Sequence, residues 1–307
     1  MEREGEWQPG YPLLLEARSF LELGPGWAVL CGALASRGFV LGLEAVLPFA
    51  LSILLADVFL GGIWSQSMTL ASTPPHDQRI VPRAPRVSLP FTLPGSPGHR
   101  TLLWVQRNWG HWRALPSSVR EAWIGWGLAV VFALALALTL GPSPTLIALA
   151  ALSLLAVEFG RRRRGLPASW QLAVAQRGAI PWLLGYAALG GPSWGALSST
   201  LTVGIGMHAQ ALLWSGLYVL AMYGHQHLER GQLQAGGRAL NTAQGVGIAA
   251  LIAAREPVLA GIAGLLYLPQ GLWQTVLARR RDGPWYRRRT QPYVMAVMLL
   301  AALSLAL

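Results

Sequence analysis

Residues 122–164 read AWIGWGLAVVFALALALTLGPSPTLIALAALSLLAVEFGRRRR. Two apolar runs, each near the ~20 residues needed to cross a hydrocarbon core, are joined by the uncharged turn Gly141-Pro142-Ser143. They end on four consecutive arginines, Arg161 to Arg164. Arginine-bearing loops are retained on the cytoplasmic side, so the stretch reads as a transmembrane hairpin with its turn outside and its arginines inside. Extending that reading in both directions gives spans near 20–37, 39–63, 122–141, 144–159, 171–190, 196–223, 239–254, 257–278 and 291–307. The basic residues number 24, all arginine; 21 of them fall in one alternate set of gaps between these runs, and Arg177 lies near the inner end of the fifth run. Only Arg37 and Arg255 fall in the other set. Adding or removing one span would reverse every later loop, so the charge pattern supports the parity of the count. The expected fold is an all-α polytopic membrane protein of about nine transmembrane helices, N-terminus inside and C-terminus outside, in the cytoplasmic membrane.

Composition agrees. The 307 residues are 53% hydrophobic and 12% charged, more apolar surface than a soluble domain buries, and the bilayer must cover the excess. The net charge of +11 is interleaved with uncharged stretches, a pattern that argues against nucleic-acid binding. It points instead to membrane lipids with anionic headgroups or to a diphosphate-bearing lipid. One cysteine, Cys31, excludes an intrachain disulfide. The polar, acidic N-terminus lacks the basic and apolar regions of a signal peptide, so the first span is expected to stay in the chain.

The whole of 1–307 reads as one membrane domain carrying a long cytoplasmic segment at 64–121. That segment opens with a Pro-rich stretch that cannot form one continuous helix. From His99 to Trp123 arginines alternate with Leu and Trp, as in a helix lying in the headgroup plane, either a connector or a substrate lid. Within the spans, Gly32/Ser36, Gly245/Ala249 and Ala260/Gly264 have the four-residue spacing that lets helix backbones approach closely in lipid. Tryptophans such as Trp64, Trp123, Trp126, Trp194, Trp273 and Trp285 lie near span ends, as in an interfacial belt.

Chemistry-bearing residues are sparse. Asp57 lies about two turns from the inner end of the second span, where an acid is either functional or paired with an arginine or a backbone cap. Glu44 is expected at the opposite interface. His225 and His227 are two residues apart and point to different faces of a helix, and His208 lies about 25 Å from His225 along it. A haem or metal site has no spacing rule in its favour, and the histidines read as interfacial. No phosphate loop or zinc-protease motif occurs.

Several phrases resemble UbiA-type intramembrane prenyltransferases. Phe20-Leu21-Glu22-Leu23-Gly24-Pro25-Gly26-Trp27 with Cys31-Gly32-Ala33-Leu34 is similar to that family's opening helix, and Ala179-Ile180-Pro181-Trp182-Leu183-Leu184-Gly185-Tyr186 to its fifth. The nine-span topology, with large inner segments after the second and sixth spans, resembles the family over nearly the whole chain. The resemblance implies a UbiA-like helical bundle and two Asp-rich motifs that hold Mg²⁺ against a prenyl diphosphate, whose departure leaves an allylic cation for an aromatic or other lipid acceptor. The first motif position reads Ala56-Asp57-Val58-Phe59-Leu60-Gly61-Gly62-Ile63-Trp64, with one acid, and the second has Glu229 alone. Asp77 in the loop is a third candidate. Mg²⁺ needs several oxygen ligands, so the expectation is a diverged member whose metal-diphosphate site is degenerate. Such a protein would bind an isoprenoid, quinone or pigment lipid, or serve as a subunit of a membrane complex. The enzymatic alternative is an active Mg²⁺-dependent prenyltransferase with Asp57, Asp77 and Glu229 as catalytic carboxylates, Asp57 and Glu229 as metal ligands, and Arg79, Arg230 and Arg238 holding the diphosphate. A transporter is the third class, hinted at by Gly204-Ile205-Gly206 in the sixth span.

Overall fold

A computed structural model describes residues 23–36, 43–72, 116–190 and 201–306, with isolated positions between 96 and 112. Among the described residues the chain is helical with no strand. Each of the nine apolar runs contains one helix: α1 (Pro25–Ala35), α2 (43–72), α3 (Ser117–Leu140), α4 (Pro142–Arg163), α5 (170–189), α6 (Leu201–Glu229), α7 (Leu233–Ala253), α8 (Pro257–Arg280) and α9 (Gly283–Ala306). Four stretches, Glu44–Ala71, Ser117–Leu140, Pro142–Arg163 and Gly283–Ala306, are long and apolar enough to cross a membrane. Helix α2 continues through 64–72, into the segment that the sequence pattern assigns to the long loop.

Local chemistry explains the boundaries. Pro142 and Pro257 begin α4 and α8, where a missing N–H costs nothing. Gly231, at φ 75°, ends α6 with its N–H donating to the Leu228 carbonyl, while Gln232 N–H donates to His227. Ser169 caps α5 by accepting from the Leu172 N–H. Two helices contain a π-helical turn, Leu54–Leu60 in α2 and Ala175–Ala179 in α5, an irregularity frequent at functional positions.

The buried side chains form two clusters. One joins α1 with α5 through α9; the other joins α2, α3, α4 and α5, with Val29 of α1. Helices α1 and α5 contribute to both and cross at nearly backbone-to-backbone distance. A Cβ on Gly32 would lie 1.8 Å from the Trp182 carbonyl oxygen, one on Gly185 2.1 Å from that of Val29, and one on Gly190 2.2 Å from that of Ser36. Gly24 anchors the start of α1 by accepting a 2.9 Å bond from the Tyr218 hydroxyl of α6. Helices α6 and α7 approach similarly at Gly224 and Gly236, and a Cβ on Gly283 of α9 would lie 2.1 Å from the Leu228 carbonyl oxygen.

Of the three small-residue pairs, Gly32/Ser36 sits at the α1–α5 crossing as the spacing suggests. Gly245 and Gly264 have open space around them, and Ala249 is exposed. Helix α7 instead packs through Gly236, Leu240, Ala243 and Gly247. Trp64, expected at an interface, is buried in the second cluster.

Candidate functional site

The end of α6 gathers the largest set of chemistry-bearing side chains that the structure describes. Glu229 ends this helix and meets Arg287 of α9 at 2.5 Å. The close approach of α6 and α9 at Leu228 and Gly283 brings them together. His225 and His227, expected at the interface, are both buried. Tyr223 lies face to edge on the His227 ring at 4.0 Å between centroids, and Trp170 of α5 lies 4.1 Å from Tyr223. His227 Nδ1 is paired with the Gln232 side-chain oxygen. Four atoms nearby have no hydrogen-bond partner: His225 Nε2, His227 Nε2, Gln226 Oε1 and, on the π-helical turn of α5, Gln176 Oε1. His225 lies beyond the apolar run of α6, which ends at 223. Burial, reinforced by the Arg287 charge, lowers its pKa to about 3, so the imidazole is neutral.

The sequence candidates that are described lie on different helices. Asp57 is partly buried on the π-helical turn of α2, and Glu229 is half exposed at the end of α6. Helix α2 packs on α1, α3, α4 and α5, whereas α6 packs on α1, α5, α7 and α9. Arg230 and Arg238 are exposed. Asp77, Arg79 and the side chain of His208 lie outside the described residues. Of Asp57 and Glu229, the latter already faces a guanidinium. Among the described residues no three His, Cys, Asp or Glu side chains gather as ligands of a metal ion. Arg287 escaped sequence reasoning because it lies in a run of basic residues, Arg287 to Arg289, with nothing to single out one of the three.

A second feature lies at the arginine-rich end of α2, α3 and α4. A cavity of about 210 Å³ opens there, lined by Ser67 and Leu70 of α2, Trp123, Trp126 and Val130 of α3, and Leu152, Leu155, Ala156 and Phe159 of α4. Trp123 contacts Trp126 and Phe159 edge-on, at 5.7 and 5.9 Å between ring centroids. Trp126 Nε1 donates to Ser67 Oγ at 2.6 Å, and Ser67 donates onward to the Ile63 carbonyl. The lining's one hydroxyl is thereby satisfied within the wall. Next to Phe159 in the chain, the buried carboxylate of Glu158 receives Arg161 at 3.6 Å, Arg162 at 3.4 Å and the Ser169 N–H at 3.0 Å. Glu158 thus fixes the α4–α5 turn and neutralises part of the arginine run. Arg163 points elsewhere, with its guanidinium carbon 5.3 Å from the centre of the Phe159 ring.

Comparison with protein-family models, with curated proteins and with solved structures returns no match to this chain. What its described residues establish is the class: helical throughout, with four helices long and apolar enough to cross a bilayer.

Proposed function

We propose that this chain is a diverged relative of the UbiA-type prenyltransferases, with nine spans, its N-terminus inside, and its basic loops facing the cytoplasm. In this reading its metal-diphosphate chemistry is lost or changed. It holds an isoprenoid, quinone or pigment lipid within the bundle, or contributes that bundle to a larger membrane complex. The observation that carries the reading is the Glu229–Arg287 pair at 2.5 Å. The acid at the second motif position is engaged by a cation of the same chain, where a diphosphate site would turn it toward a metal. That each of the nine apolar runs contains a helix among the described residues supports the topology.

Purified protein is expected to give no Mg²⁺-dependent turnover of a labelled prenyl diphosphate, and solvent extraction should return an isoprenoid-type lipid in near-stoichiometric amount. Turnover that is abolished by Asp57→Ala or Glu229→Ala overturns the reading. It would establish the rival, an active prenyltransferase using Asp57, Asp77 and Glu229 with Arg79, Arg230 and Arg238. One observation favours that rival: Asp57 sits on a π-helical turn, and such turns are frequent at functional positions.

A further inference from the structure

The cavity between α2, α3 and α4 is built for a ligand with an apolar part and an anionic part. Its walls offer three aromatic rings, and the Ser67 hydroxyl is already committed to Trp126 and Ile63. A polar group entering it would leave water and gain no partner. The volume of about 210 Å³ exceeds the roughly 150 Å³ of an apolar cavity that accepts benzene. It falls below the ~300 Å³ at which pockets for drug-sized ligands begin. The space therefore suits one stretch of hydrocarbon chain. Ala156 at its rim is exposed, so the cavity opens sideways, where lipid chains lie.

The charge above it is selective. Arg161 and Arg162 are drawn to Glu158. Arg163 makes no ion pair among the described residues and stands over Phe159, a ring of the cavity wall. Arg120 is partly buried one turn before Trp123 on α3, on the same helical face. A headgroup phosphate at this level would meet Arg163, with Arg120 on the facing helix, while its chain descends past Trp123 and Phe159. We infer that this cavity is a binding site for one acyl chain of an anionic glycerophospholipid, whose phosphate is held by Arg163. The site is separate from the α6–α9 cluster and does not depend on the reading proposed for it.

The test uses the full-length chain, delipidated in detergent and titrated with phosphatidylglycerol or with phosphatidylcholine of identical chains. Bound lipid is counted by native mass spectrometry. The unaltered protein should favour phosphatidylglycerol about fivefold, the weight of one arginine near a headgroup plane. Arg163→Gln should abolish that preference by weakening phosphatidylglycerol binding more than phosphatidylcholine binding. Ala156→Phe, which places a ring in the cavity mouth, should weaken both lipids. Arg162→Gln, removing a guanidinium already held by Glu158, should leave the preference intact. Ala156 is exposed and Arg163 lies at the surface, so neither change threatens the fold, and an unchanged elution profile checks this. Equal binding of both lipids to all four proteins would mean an unselective lipid annulus and overturns the inference. So does a phosphatidylglycerol preference that survives Arg163→Gln. Co-purified isoprenoid lipid should persist in Arg163→Gln, so failure here is distinguishable from failure of the prenyltransferase-related reading.

Discussion

Substituting alanine for Gly32 adds one methyl group at the point where α1 and α5 are closest. Its carbon would stand 1.8 Å from the Trp182 carbonyl oxygen, 2.8 Å from the Trp182 carbonyl carbon and 2.9 Å from the Tyr186 nitrogen. All three are backbone atoms of one helix, so no side chain can turn away. An ordinary carbon–oxygen contact is near 3.4 Å, and relief requires the helices to part by about 1.5 Å. Overpacking of this kind costs about 1–3 kcal/mol, and the upper half of that range applies because both helices belong to both buried clusters. For a protein of this size that corresponds to a Tm lower by about 3–5 °C. Gly185→Ala meets the Val29 carbonyl at 2.1 Å and should cost a similar amount. The double substitution should cost about 1 kcal/mol less than the sum, because one separation of the helices relieves both contacts. Gly245→Ala is the control. Its Cβ has open space, and the gain in helix propensity is up to about 1 kcal/mol. Thermal unfolding in a fixed detergent, followed by loss of the monodisperse elution peak, reads all four proteins. If Gly32→Ala and Gly245→Ala shift Tm alike, α1 and α5 do not cross at these glycines.

Three further outcomes follow from the polar contacts. Arg287→Ala and Glu229→Ala should each lower stability by at most about 1 kcal/mol, because the pair is partly exposed, and the exchanged pair, Glu229→Arg with Arg287→Glu, should recover most of the loss in the same melting assay. Glu158→Ala should cost more, about 2–3 kcal/mol, since its carboxylate is 1% exposed and its removal orphans the Ser169 N–H and two arginines; a loss no larger than that of Glu229→Ala would refute the assigned role. His225 is held neutral, with a folded pKa of about 3 against an ordinary 6.5. The unfolded chain therefore binds the proton first as pH falls, and the stability contribution, fully present above 6.5, is lost by about 1.4 kcal/mol per unit on descending toward 3. Melting at pH 7.5 and pH 5.5 should show a drop in the unaltered protein that His225→Gln reduces, and equal drops would contradict the burial of this imidazole.

The positions of the helices were legible in the chain alone. Apolar length and arginine-bearing gaps are one-dimensional properties, so each of the nine runs contains a helix. Helix ends were less legible. The α2 helix runs on through 64–72 because Trp64, Ser67 and Leu70 pack inward, and local composition does not distinguish an inward-facing end from a loop. The small-residue spacing identified Gly32 correctly and Gly245 and Gly264 incorrectly for one reason: spacing describes a helix face, whereas close approach depends on which partner lies opposite.

The candidate site followed the same division. Sequence alone determined that acids are scarce around Asp57 and Glu229 and that the arginines fall in alternate gaps between apolar runs. Tertiary structure alone decided that Arg287 answers Glu229, and that Trp123, Trp126 and Phe159 wall one cavity with Arg163 beside it. The physical reason is that membrane insertion is decided segment by segment, by the transfer of each apolar run into lipid. Pairing and packing depend on backbone crossings set by contacts between residues far apart in the chain, and no local pattern carries that information.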